Sequence, residues 1–82
     1  MTSLTIFVDG SQYASAKELH LALKMLLNLP EHYGCNADAL HDCLSERKDA
    51  VNLVVLSDGE GEVAAALAKV KHVMTDCGGT VK

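Results

Sequence analysis

The chain has no tryptophan, one phenylalanine and two tyrosines in 82 residues. A core built on aromatic stacking is therefore excluded, and Leu, Val and Ala must fill it. Three cysteines, an odd number at irregular spacing, make no disulfide framework and read as reduced thiols. No apolar stretch approaches the length that spans a bilayer, and no basic segment followed by a long apolar run opens the chain. A soluble cytoplasmic protein without membrane association is expected. Catalytic signatures are missing as well: there is no Ser-His-Asp order, no redox Cys-x-x-Cys and no phosphate-cradling glycine loop. Asp58-Gly59-Glu60-Gly61 approximates such a loop, but its carboxylates would repel phosphate, and it reads as a turn into a helix. With no linker, repeat or low-complexity segment, residues 1–82 are expected to form one domain around one core.

Basic charge is scarce where acid is dense. Between Glu31 and Glu62 there are eight acidic residues against two basic ones, Arg47 and Lys48, while the rest of the chain has three acidic and five basic residues. The net charge of −4 thus belongs to the middle of the chain. This argues against nucleic-acid and anionic-membrane partners and favours a cationic one, the alternative being an ordinary solvated acidic surface.

Leu4-Thr5-Ile6-Phe7-Val8, closed by Asp9-Gly10, reads as a strand buried on both faces. Ser15 and Glu18 have capping-box spacing. They open a helix that runs to about Leu27, with Leu19, Leu23, Leu26 and Leu27 inward, and Asn28 and Pro30 stop it. Asn36 or Ala37 starts a shorter helix carrying Ala39, Leu40, Cys43 and Leu44, which ends before Glu46. Val51–Leu56 is a second strand. A third helix from Glu62 to about Asp76 turns Val63, Ala66, Leu67, Val70 and Val73 or Met74 inward, and Gly78-Gly79 breaks it. Thr80-Val81-Lys82 leaves room for a stub of a third strand. Strands and helices that alternate without a hairpin imply an α/β fold with a parallel sheet.

Asp38 and Asp42 lie four apart on the short helix and project from one face, while Leu40, Cys43 and Leu44 can anchor the other. Two carboxylates in this spacing suit a cation-binding surface and equally a solvated helix face. A catalytic acid–base pair would need a pocket that buries one of them, and a domain this small has little depth for it. His32, Cys35, His41 and Cys43 are zinc-ligand types, but His41 and Cys43 point to different sides of a helix and no Cys-x-x-Cys is present, so no metal or other cofactor is expected.

The segment LPEHYGCNADALHDCL, residues 29–44, resembles the second-helix region of the barstar family of ribonuclease inhibitors. The shared pattern is Leu29-Pro30-Glu31, Tyr33-Gly34, Asn36, Asp38-Ala39-Leu40 and Asp42-Cys43-Leu44; residues 4–45 fit the family well, and after Val51 the likeness is topological. The resemblance implies a small three-stranded parallel sheet packed against three main helices. It further implies a non-enzymatic protein, monomeric when free, that blocks the active site of a secreted or toxin ribonuclease of the small, basic, guanyl-preferring kind. On that pattern Asp42 is the central carboxylate and Asp38 its partner, while Asn36 and Gly34 shape the preceding loop. His32 and His41 fall where the family carries aromatics, which makes such a contact sensitive to pH. His72 falls near the position of a further carboxylate on the family's last helix. That missing acid points to weaker binding, or to the alternative of an interaction or immunity protein whose partner is not a barnase-like ribonuclease.

Overall fold

In a computed structural model that describes residues 3–47 and 50–82, β-branched Ser3–Asp9 forms strand β1 and Ala50–Ser57 forms strand β2. They pair in parallel from Ser3↔Ala50 to Val8↔Val55, with an irregularity before Asp9↔Ser57. Thr80–Val81, strand β3, pairs in parallel with Asn52 and Leu53, so the sheet order is β1-β2-β3. The α/β arrangement of three helices and a three-stranded parallel sheet is the expected one. Lys48 and Asp49, part of the charged run after the second helix, lie outside the described residues.

One expectation for the sheet fails. β1 is buried on one face: Ile6 and Val8 enter the core, whereas Phe7 is 60% exposed, and on β2 Leu56 is 64% exposed. Successive strand residues point to opposite faces, and buried residues from all three helices, among them Leu23, Leu40 and Leu67, join the cluster that holds Ile6 and Val8. Half of an unbroken apolar run therefore remains in water.

Helix α1, Ala16–Leu27, begins as its capping residues require, with Ser15 Oγ accepting from the Glu18 N–H at 3.2 Å. Glu18 reaches back one residue further than a capping box prescribes, accepting from the Ala14 N–H at 3.0 Å. The Ala16 N–H is satisfied from across the fold by the Glu62 carboxylate at 3.3 Å. The inward stripe is Leu19, His20, Leu23 and Leu27. Leu26, expected there, is 41% exposed because the stripe is only about a third of the helix wide and His20 occupies the place beside Leu19. Asn28 ends the helix at φ 53, with the Leu29 N–H donating to Lys24 O at 2.9 Å.

Helix α2, Ala37–Ser45, and helix α3, Gly61–Asp76, complete the layer. Val63, Leu67 and Val70 of α3 are buried, together with both Val73 and Met74. α3 stops in the expected glycines: the Gly78 N–H donates to Thr75 O at 3.1 Å and the Gly79 N–H to Met74 O at 2.8 Å, with Gly78 at φ 84. Asp58-Gly59-Glu60 is the turn into α3. Gly59 sits at φ 71 so close to the turn after β1 that a Cβ there would lie 2.7 Å from the Gly10 carbonyl oxygen. One apolar cluster, from Ile6 and Val8 through Leu23, Leu40 and Leu53 to Leu67 and Met74, joins every element.

Candidate partner-binding site

The segment between α1 and α2 has no regular structure, yet it is tied down at both ends. Leu29 and Tyr33 are buried, and a turn closes between them through the Tyr33 N–H to Pro30 O at 3.0 Å. The Tyr33 hydroxyl lies 2.6 Å from His20 Nδ1 on α1. Burial disfavours the charged form of each partner, lowering the His20 pKa and raising that of Tyr33. At the other end Asn36 caps α2: its Oδ1 accepts from the Ala39 N–H at 2.8 Å and its Nδ2 donates to Gly34 O at 3.2 Å. Cys35, between them, takes a left-handed conformation at φ 54. His32 and Gly34 are left exposed on this fixed loop.

A nine-residue helix is too short to persist alone in water, so α2 depends on packing. Leu40 and Leu44 hold it to the core, and the Arg47 guanidinium donates to Leu27 O at 2.9 Å behind it. Asp38, His41, Asp42 and Glu46 face solvent. Asp38 stands in the first turn, where the helix dipole favours it; Asp42 is too far along to benefit. Among the described residues no cation pairs with Asp38, Asp42 or Glu46.

Two hollows flank α2. A cleft of about 700 Å³ lies against the loop, with Pro30, His32, Tyr33 and Gly34 on one wall and Ala39, Asp42, Cys43 and Glu46 on the other. A groove of about 420 Å³ lies against α3, lined by Ala37, Asp38 and His41 and by Ala68, Lys69, His72, Val73 and Asp76. The two aspartates thus share a helix face but open onto different hollows. Asp42 lines the first with His32 and Gly34, whereas Asp38 lines the second with His41 and His72. Asn36 borders neither hollow and acts as the helix cap. His41 and Cys43 also part company between the hollows, and among the described residues no three His, Cys, Asp or Glu side chains gather as a metal site. Burial, then the Glu46 and Asp42 carboxylates, pushes the Cys43 thiol pKa up, which keeps it protonated at neutral pH.

Sequence reasoning missed two carboxylates and one anchor. Asp76 supplies α3 with a carboxylate on the same groove as Asp38, its Oδ2 3.3 Å from His72 Nε2. Its spacing of four from His72 was the available signal. Glu46 stands four beyond Asp42 in the same way. His20 sits at a core position between Leu19 and Leu23, which marks it as a histidine with a buried partner.

The chain is therefore a two-layer α/β domain whose second helix carries an acidic face, unpaired by any cation among the described residues, between two hollows. It belongs to the barstar family: the model of that family, described as Barstar (barnase inhibitor), matches residues 3–78. A Bacillus subtilis (strain 168) protein described as "Putative ribonuclease inhibitor YrdF" is 40% identical over 55 residues, which are 67% of this chain and 60% of that relative. The match thus spans less than two thirds of that protein's length. Among the described residues no helix is long and apolar enough to cross a membrane.

Proposed function

We propose that the chain is a binding protein, not an enzyme, that inhibits a small basic ribonuclease by seating α2 in its active site. The observation that carries this reading is the solvent-facing row Asp38, Asp42 and Glu46, unpaired by any cation among the described residues, on a helix fixed from behind by Leu40 and Leu44. A ribonuclease must hold an RNA phosphate with Arg, Lys and His, so its empty site is cationic. A preformed helix offering carboxylates replaces the phosphate with charge-assisted bonds, often bidentate to Arg, and the acidic field speeds the encounter. Asp42 takes the central place, and His32 and Gly34 across the loop cleft touch the partner beside it. Asp38, His41 and His72 meet it on the α3 side. Asn36 acts by holding the loop. The guanyl-preferring, barnase-like class is the partner that the family description supports, and the inhibitor works as a monomer in the cytoplasm where that enzyme is made.

A second reading, an interaction or immunity protein whose partner is not a barnase-like ribonuclease, is favoured by Lys69 in the α3 groove, where its positive charge opposes a cationic active site. Titration into a guanyl-preferring ribonuclease separates the two. RNA cleavage ends at one inhibitor per enzyme on the first reading and continues unchanged on the second.

A further inference from the structure

We propose that His20 and Tyr33 form a latch that sets the position of the partner-binding loop, making His20 a positioning residue for a surface it does not itself line. This rests on the reading of residues 29–36 as part of that surface. The Tyr33 ring enters the core from the exposed loop and meets His20, 13 residues earlier on α1, at 2.6 Å, with ring centroids 5.9 Å apart. His20 is 4% exposed and Tyr33 6%. The only other buried loop side chain is Leu29, at the α1 end. The three residues between Tyr33 and α2 are Gly34, Cys35 at φ 54 and the cap Asn36, so what fixes Tyr33 fixes Gly34 directly.

The neutral imidazole fits this place and a charged one does not. His20 lies in the apolar stripe with Leu19 and Leu23, and its other side borders a cavity of about 300 Å³. The titratable groups facing it are Tyr33 and Cys35 from the loop and Glu62 and Lys69 from α3. Glu62 accepts from the Ala16 N–H, and neither it nor Lys69 makes a hydrogen bond or ion pair with the ring among the described residues. Their opposite charges oppose each other there, and burial remains the factor that disfavours a charged ring. A protonated ring gains from added hydration that the buried site withholds, and withdrawing Tyr33 supplies it. The surface that holds the partner would then loosen while the sheet and the inner helices stay packed.

Amide hydrogen exchange of the free protein tests the latch without any partner. In Tyr33→Phe at pH 7, the amides of residues 31–36 should exchange on the order of tenfold faster, those of Leu23, Leu67 and Val70 unchanged. Wild type at pH 5.5, corrected for intrinsic rates, should show the loop amides accelerated more than those of the core, and His20→Gln should lose this excess. Loop protection that is unaltered, or that changes only in step with the core, overturns the latch, as does the same pH response in His20→Gln. The pH series on wild type decides the matter even if a variant fails to fold. With a guanyl-preferring ribonuclease, Tyr33→Phe should bind more weakly, and equal affinity overturns the link to binding. If wild type binds no ribonuclease, the proposed function falls while the exchange experiment still judges the latch.

Discussion

Replacing Asp42 with Ala should stabilise the free protein while disabling it. Asp42 faces solvent, accepts from no cation among the described residues, and stands one turn from Asp38. Two carboxylates about 6 Å apart in water repel by roughly 0.7 kcal/mol, and physiological salt about halves this. Model helices agree, giving about 0.2–0.5 kcal/mol for such a pair. Alanine adds about 0.5 kcal/mol of helix propensity over aspartate. The helix interior also loses nothing on the buried side, because Leu40 and Leu44 are untouched. The sum is a gain of about 0.5–1 kcal/mol, which raises the thermal midpoint by roughly 2–8 °C in a domain of this size. In the proposed complex the same carboxylate would be buried against a guanidinium or ammonium. Its loss there costs on the order of 2–5 kcal/mol, roughly 30- to 5,000-fold in affinity. Thermal unfolding by circular dichroism and calorimetric titration with the ribonuclease read the two effects separately. A midpoint that falls by several degrees would mean the carboxylate has a structural duty. Unchanged affinity in a complex that forms would mean α2 does not enter the active site.

The remaining predictions concern α3, the core and pH. Asp76→Ala should weaken the ribonuclease complex by roughly 0.5–1 kcal/mol, less than Asp42→Ala because the α3 rim stays closer to water; an unchanged dissociation constant removes α3 from the contact. Leu40→Ala should cost about 2–5 kcal/mol in chemical denaturation, since Leu40 is fully buried and α2 cannot persist unpacked; a loss below about 1 kcal/mol would show that α2 is not held by the core. Stability should fall on acidification through His20. Its pKa is lower folded than unfolded, so the unfolded chain binds the extra proton. The loss begins as pH drops below the unfolded value of about 6.5 and levels off beneath the folded one. Tyr33, raised on folding, has the opposite sign and should erode stability as pH climbs above about 10. In His20→Gln the unfolding free energy should lose its fall between about pH 6.5 and 5, and an unaltered slope would assign that fall to other groups.

Most of the layout was legible because each element carries a local signal that tertiary packing did not override. Ser15 and Asn36 hold the first turns of their helices through their own side-chain oxygens, and Asn28, Gly78 and Gly79 end theirs through backbone geometry that a sequence advertises. What escaped was whatever depends on which surface an element meets. Nothing within Leu4–Val8 says that helices lie on one side only, so Phe7 read as buried. Leu26 read as inward because a stripe of leucines does not declare its width. Asp38 and Asp42 were placed on one face correctly, but that they open onto separate hollows depends on a loop and on α3, neither local to them. Asp76 escaped for the same reason: counting along α3 led to His72, and only packing against α2 brings the carboxylate four residues later to the groove.

The central claim is that the carboxylates of α2 occupy the place of an RNA phosphate, and competition tests it most directly. Affinity for a guanyl-preferring ribonuclease is measured with and without saturating guanosine monophosphate in the enzyme's site. The account predicts that the apparent dissociation constant rises in proportion to nucleotide concentration, and that residual binding by Asp42→Ala is less sensitive to nucleotide than binding by wild type. A complex that forms equally well on the nucleotide-filled enzyme would contradict it.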